Sequence, residues 1–147
     1  MNFVSSILQI KGNDVYSVDL DTPLIDALEL MADKGVGAVI VMNGDKIGGI
    51  FSERDFARKV VKTRNLDLEM PVRDLMTKDV FVISPDDSIE ECMAIMSSTH
   101  IRHLPVVEDG NLIGLISIGD VVKISIEDKD LQIQSMEKYI FGYGYNR

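Results

Sequence analysis

A shift of 65 positions lays residues 14–57 of this 147-residue chain on residues 79–122 without a gap. Eight of the 44 aligned pairs are identical: Asp14/Asp79, Val15/Val80, Asp21/Asp86, Met31/Met96, Val41/Val106, Gly49/Gly114, Ser52/Ser117 and Asp55/Asp120. Apolar residues also fall opposite apolar residues, as in Val18/Ile83, Leu24/Ile89, Leu28/Met93, Val36/Ile101, Ile47/Leu112, Ile50/Leu115 and Phe51/Ile116. The leaders match as well, with Ile7 and Ile10 opposite Val72 and Leu75. A repeat of this length means that one supersecondary unit is built twice, and that the two copies share the task of burying apolar surface.

Each copy reads as β-α-β-β-α. Leu24, Ala27, Leu28 and Met31 recur at helical spacing, as do Ile89, Cys92, Met93 and Met96, giving each repeat one apolar helical stripe. Two short runs rich in β-branched residues follow, 38–42 and 47–51, split by Asn43, Gly44 and Asp45. Their counterparts are 104–107 and 112–116, around Asp109, Gly110 and Asn111. A second helix is expected after Ser52 and again after Ser117. One such unit is too small to bury a sheet face and its helices, so two packed about a pseudo-two-fold axis are expected. The predicted fold class is α/β (α+β): a first repeat over 1–65, a second over 66–126 and a C-terminal helical extension over 127–147.

Composition narrows the partners. A chain that is 46% hydrophobic and 27% charged suits a globular domain, and its apolar residues are mostly Val, Ile, Leu and Met, with no Trp. That disfavours a surface of stacking rings for single-stranded nucleic acid. A net charge of −9 argues against DNA and anionic membranes as partners. No run approaches the roughly 18 apolar residues of a membrane span. The opening residues lack the basic region of a signal peptide, and a single cysteine, Cys92, excludes an internal disulfide. Cytoplasm, or an equivalent reducing compartment, is the expectation.

The chemistry concentrates in Gly49-x-x-Ser52-x-x-Asp55 and Gly114-x-x-Ser117-x-x-Asp120, each closing a strand and opening a helix. A serine at such a helix start leaves backbone N–H groups pointing outward at the positive end of the dipole, which suits a phosphate. An aspartate in the first turn can accept the hydroxyls of a ribose. The same Ser-x-x-Asp spacing is also close to a capping box, in which the acid reaches back to the serine. The two roles are compatible.

These motifs, with Ile101-Arg102-His103-Leu104-Pro105 and Pro71-Val72-Arg73-Asp74-Leu75-Met76-Thr77, resemble those of a tandem pair of cystathionine-β-synthase (CBS) domains, a Bateman module. The resemblance covers residues 3–126. Ser52-Glu53-Arg54-Asp55-Phe56-Ala57-Arg58-Lys59 and the ending Met136-Glu137-Lys138-Tyr139-Ile140 are similar to small bacterial proteins made only of such a pair, with relatives in organelles. The resemblance implies a regulatory module that binds an adenosine nucleotide (AMP, ADP, ATP or NAD), catalyses nothing, and modulates a regulated protein that the sequence does not name. A ligand-independent scaffold for dimerisation and docking is the other reading.

The resemblance also implies two clefts, each mixing residues of both repeats, with the adenine in an apolar slot. One would combine Ile50, Ser52, Arg54 and Asp55 with Asp87, Ile101 and Arg102. The other would combine Leu115, Ser117, Gly119 and Asp120 with Thr22, Ala27, Val36 and Gly37. Arg54 and Arg102 have only Gly119 and Gly37 as counterparts, and Arg58 and Lys59 lie one turn beyond Arg54. The guanidinium fork matches phosphate, so the first cleft is the expected phosphate site. Arg58 and Lys59 equally suit a solvated helix face. Asp87 stands where Thr22 stands in the other repeat.

Cys92 lies on the helical stripe and reads as core rather than as a nucleophile for His100 or His103. No carboxylate–histidine spacing suits zinc. Met31, Met42, Met76, Met93 and Met96 read as core. Beyond Asp128, a helix is expected over 130–140, with Gly142 as its stop and with Ile133, Met136 and Ile140 on one face, flanked by Leu131 and Tyr139. That face either folds back on its own chain or closes a homodimer.

Overall fold

In this computed structural model, which describes residues 2–141, the order of elements follows the repeat. It runs α1 (Val4–Lys11), β1 (Ser17–Asp19), α2 (Leu24–Lys34), β2 (Ala38–Asn43), β3 (Lys46–Ser52) and α3 (Glu53–Thr63). A 3-10 turn (Val72–Asp74), α4 (Ile89–Thr99), β4 (His103–Glu108), β5 (Asn111–Ser117) and α5 (Ile118–Phe141) follow. The side chains of α5 are described as far as Glu137, so those of Tyr139 and Ile140, and the stop expected at Gly142, lie outside what is described.

The helices form where the stripes are. Leu24, Ala27 and Met31 of α2 are buried, as are Ile89, Cys92 and Met96 of α4. α2 stops at Gly35, whose φ of 65° is the left-handed turn glycine adopts freely, and α4 stops at His100 in the same conformation, with φ 58°. The hairpins turn where expected. Gly44 (φ 62°) opens the first loop, while Asp109 and Gly110 both have positive φ, as a type I′ turn demands.

The chain packs as two units, and the packing does not follow the repeat boundary at 65/66. One unit is Asp14–Val82. The other joins the leader, as far as Asn13, to Ile83 and the chain that follows it. The leaders are therefore exchanged. Val72 and Leu75, which open the second repeat, are buried with Leu24, Met31, Val39 and Phe51 of the first. Val4, Ile7 and Leu8 of α1 are buried with Ile89, Leu104, Val106 and Ile116 of the second. Ile10, expected to match Leu75, is exposed, because α1 continues as a regular helix and turns that residue outward.

The sheets are not identical either. β1 pairs parallel with β2, and β2 antiparallel with β3. In the second unit β4 and β5 form the same hairpin, but the strand expected to pair with β4 is reduced to one bridge, Ile83 with Val106. Proline explains the loss. Ile40 donates its N–H to the Tyr16 carbonyl at 3.1 Å, and Pro105, at the equivalent position, has no N–H to offer Phe81.

Two further expectations need correcting. Met93 is 45% exposed rather than core, with its sulfur accepting from the Ser125 hydroxyl on α5 at 3.5 Å. The C-terminal run is not a separate helix but the continuation of α5, which starts at Ile118. Val121 and Ile124 are its buried residues. From Ser125 to Glu137 no side chain is buried, and Leu131, Ile133 and Met136 are all more than half exposed, so this stretch does not fold back.

The exchanged leaders need the motif glycines. A Cβ at Gly49 would lie 2.6 Å from the Thr77 carbonyl oxygen and 2.8 Å from the Met76 sulfur. At Gly114 it would meet Leu8 Cδ2 at 2.7 Å. A backbone carbonyl held in a bridge cannot step aside, whereas a leucine can change rotamer. Gly49→Ala is therefore expected to cost about 1–3 kcal/mol in urea unfolding, the range of an overpacked core, and Gly114→Ala less. Equal losses would contradict the difference between the two approaches.

Candidate functional site

Each unit brings its Ser-x-x-Asp motif to one corner, where a central strand ends and a helix begins. At the first corner, Ser52 ends β3 in an extended conformation and caps α3. The Asp55 N–H donates to Ser52 Oγ at 3.2 Å, and the Ser52 N–H donates back to Asp55 Oδ2 at 2.9 Å. The Ser52 hydroxyl itself donates to Oδ2 at 3.0 Å. This is a complete capping box, and it fixes the carboxylate beside the positive end of α3. The outer oxygen, Oδ1, accepts from the Thr77 hydroxyl at 3.0 Å. Thr77 also exchanges both backbone hydrogen bonds with Ile50, donating at 2.8 Å and accepting at 3.0 Å.

The second corner repeats the cap. The Asp120 N–H donates to Ser117 Oγ at 3.2 Å, and the Ser117 N–H to Asp120 Oδ2 at 2.9 Å. What covers it differs. Lys11, in the last turn of α1, places its Nζ 2.7 Å from Asp120 Oδ2 and donates to the Leu115 carbonyl at 2.8 Å. Leu115 is the counterpart of Ile50. One ammonium thus donates at this corner to the strand carbonyl and the carboxylate, as the N–H and hydroxyl of Thr77 do at the other. Burial acts to raise the pKa of Asp120, but the hydrogen bonds from Lys11 and Ser117 and the lysine's charge outweigh it and hold the carboxyl below its ordinary value of 3.8.

The other expected site residues divide between the units. Thr22, Ala27, Val36 and Gly37 lie with Ile50, Ser52, Arg54 and Asp55 in one, and Asp87, Ile101 and Arg102 with Leu115, Ser117, Gly119 and Asp120 in the other. Thr22 Oγ1 accepts from the Asp19 N–H at 3.0 Å, and Asp87 Oδ2 accepts from the Ser84 N–H at 2.8 Å. The two residues therefore close the same turn, and the exchange of one for the other keeps the backbone. Gly37 and Arg102 also correspond. Their carbonyls accept the N–H groups of Glu53 (3.0 Å) and Ile118 (2.8 Å), the first residues of α3 and α5. Ala27 and Ile50 are buried, Arg54 and Val36 are partly covered, and Arg102 is exposed. Arg58 is exposed and Lys59 partly covered on the outer part of α3.

Thr77 and Lys11 were not among the expected residues. Thr77 belongs to a recognised phrase at the start of the second repeat, and its role follows only once the leader is known to pack on the other repeat. Lys11 has Met76 as its repeat counterpart, so the alignment carries no signal for it. Burial, and then Asp87 and Glu91, push the Cys92 thiol up to about 11, which leaves it protonated and unreactive near neutral pH. Among the described residues no group of three or more His, Cys, Asp or Glu is placed to hold a metal ion. No described helix is long and apolar enough to cross a membrane.

Two capped corners on a duplicated mixed α/β unit define a paired-repeat module. The chain belongs to the CBS domain family, whose model matches residues 5–62 and again 72–127. It is 46% identical in sequence to a putative signal-transduction protein with CBS domains from Burkholderia ambifaria, with a TM-score of 0.82 over 86% of this chain and 96% of that one. It is 31% identical to the mitochondrial CBS domain-containing protein CBSX3 of Arabidopsis thaliana, over 97% of this chain and 73% of that protein. A CBS domain protein from Pyrobaculum aerophilum, solved in complex with AMP, is 25% identical, with a TM-score of 0.70 over 80% and 88% of the two chains.

The lowered pKa of Asp120 has a testable sign. A carboxyl whose folded pKa lies below its unfolded value adds stability above the unfolded value, and loses it as pH falls through the folded one. Asp120→Asn is expected to be less stable than the wild type near pH 7, by about 1 kcal/mol from the weakened cap and the lost ion pair. The two should converge as pH drops below 3.8. Urea midpoints against pH measure this, and a gap that persists in acid would remove the charge from the explanation.

Proposed function

We propose that the chain is a regulatory module that binds an adenine nucleotide, AMP before ADP, ATP or NAD, and modulates a partner protein without catalysing a reaction. The observation that carries the reading is the Asp55 corner. A carboxylate is fixed by its cap beside a helix N-terminus, and the Thr77 hydroxyl donates to its outer oxygen. Asp55 accepts the ribose hydroxyls, while Ser52 and Arg54 take the phosphate. Ile50 lines the apolar side. Asp87, Ile101 and Arg102 enter this assignment through the family resemblance, as do Thr22, Ala27, Val36, Gly37, Leu115, Ser117, Gly119 and Asp120 for the other cleft. The AMP complex of the Pyrobaculum aerophilum protein supports the choice of nucleotide. The buried, protonated Cys92 fits a reducing compartment such as the cytoplasm.

The exposed face of α5 favours a second element, a homodimer. Ile118, Val122, Ile126 and Ile133 follow one side of the helix, and all are exposed. A face of that kind is the common signature of association, and a two-fold contact would cover it with its own copy. The same face serves the alternative reading, a scaffold that docks without a ligand.

Both readings are measurable. In thermal melting, AMP at about 100 times its dissociation constant should stabilise the protein by about 2.7 kcal/mol. Asp55→Ala should weaken AMP at least about ten-fold in calorimetry, while the protein stays folded with about 1 kcal/mol less stability from the lost cap. Unchanged affinity for every adenine nucleotide in that variant would discard the site. For the dimer, truncation after Glu127 should lower the molar mass seen by light scattering. A full-length chain that stays monomeric at high concentration would discard the association.

A further inference from the structure

The two corners share a backbone and a cap, yet different groups sit on their carboxylates. At Asp55 that group is the Thr77 hydroxyl, which is neutral and free to rotate, and which can accept as well as donate. At Asp120 it is the Lys11 ammonium, which only donates and carries a full charge. The lysine is not a loose surface side chain that happens to reach an acid. It sits in the last turn of α1, a helix anchored by the buried Val4, Ile7 and Leu8. Gly12 closes that helix, with its N–H on the Leu8 carbonyl at 2.8 Å. A second hydrogen bond, to the Leu115 carbonyl, holds the ammonium from the strand side. Lys11 and Asp120 are both mostly covered, with 35% and 25% of their side chains exposed, so water screens the pair less than it would a surface contact.

We propose that Lys11 is the specificity-determining residue of the module: its ammonium occupies the carboxylate of the second corner, so that a ribose is accepted at Asp55 and refused at Asp120. The proposal rests on the nucleotide reading above and assigns that reading to one corner. A ribose hydroxyl is held strongly by a carboxylate because the acceptor is charged. At Asp55 the incoming hydroxyls meet an outer oxygen that holds the neutral hydrogen bond from Thr77. At Asp120 they meet a carboxylate already neutralised at 2.7 Å, and they have to displace a cation that bridges two acceptors. Hydrogen bonds to charged groups contribute about twice what neutral ones do, a difference of about ten-fold in affinity. The backbone cap is common to both corners, since Ser117 and Asp120 are bonded to each other as Ser52 and Asp55 are.

Calorimetric titration of the full chain with AMP tests this. The wild type is expected to bind one AMP per chain, and Asp55→Ala to abolish it. Lys11→Met, which keeps the apolar stem and removes the charge, should bind two, the second being lost again when Asp120→Ala is added. Lys11→Arg should stay at one, because the cation is kept. If Lys11→Met does not fold, Lys11→Gln gives the same reading, since the amide can still donate to the Leu115 carbonyl. Two AMP in the wild type, or one in a folded Lys11→Met or Lys11→Gln protein, overturns the proposal while leaving the nucleotide reading intact. Failure of AMP to bind any of these proteins overturns both. The pin itself has a readout without ligand: Lys11 should be acylated by an amine reagent several-fold more slowly in the wild type than in Asp120→Asn. Equal rates would show that the ammonium is not held.

Discussion

The contact on which both units depend is the approach of a leader segment to the strand that ends in the motif serine. β3 is an edge strand, and an uncovered edge leaves backbone groups without partners. Thr77 covers it by bonding to both polar groups of Ile50. That is possible only because Gly49 has no side chain where Met76 and Thr77 lie. The leader in turn brings its last side chain to the aspartate of the corner. The edge, the glycine and the group on the carboxylate are thus one arrangement, and the exchange of leaders between repeats produces all three. Each leader also feeds an apolar pair into the partner repeat's core, Val72 and Leu75 on one side, Ile7 and Leu8 on the other. A repeat alone would lack both.

Capping and ligand binding are not rivals at these corners. The cap satisfies backbone groups that every helix start leaves open, and in doing so it holds the carboxylate in one rotamer. A ligand that uses the carboxylate then finds it already ordered, and does not bear the entropy of fixing it. The serine acts on both sides of this balance. Its hydroxyl accepts the aspartate N–H and, in the first unit, also donates to the carboxylate. The box accounts for the side chains of Ser52 and Asp55 and for the N–H groups of both. Helical stability and anion affinity therefore draw on the same few atoms.

Most of the fold was legible in the sequence. Both helical stripes, both hairpins and both helix starts follow from periodicity, turn residues and the Ser-x-x-Asp spacing, because each of these is dictated by local chemistry. What was not legible is what depends on a partner distant in sequence. The burial of Ile7 and Val72 was suggested by the repeat, but not on which core each would rest. Ile10 matches Leu75 in alignment, yet it is exposed, since eight residues of regular helix and three of 3-10 turn present different faces. The lost strand before Pro105 was in principle readable, because a proline facing a parallel neighbour removes a ladder bond whatever its surroundings. Met93 is apolar and on the stripe, but it sits at the border of α4 and α5, where a flexible thioether tolerates exposure. At the site, Ser52, Asp55, Ser117 and Asp120 could be named from spacing alone. Thr77 and Lys11 could not, since both reach their corners through the leaders.

The two corners show how a duplicated backbone is made to do different things. Gly37 stands where Arg102 stands, and Gly119 where Arg54 stands, and neither glycine is forced by geometry. A Cβ at Gly37 would have only Glu53 Cδ near it, at 3.9 Å, and one at Gly119 only Ser117 Oγ, at 3.6 Å, both ordinary contacts. Neither has a positive φ. A Cβ is sterically admissible at both places, so a close backbone approach does not account for the glycines. Arg54 lies in the unit of the first corner and Arg102 in that of the second, while Lys11 adds a cation directly on the second carboxylate. An ammonium locked between a carboxylate and a carbonyl has two of its three donors already engaged. The positive charge of Lys11 is therefore turned inward, toward holding the leader.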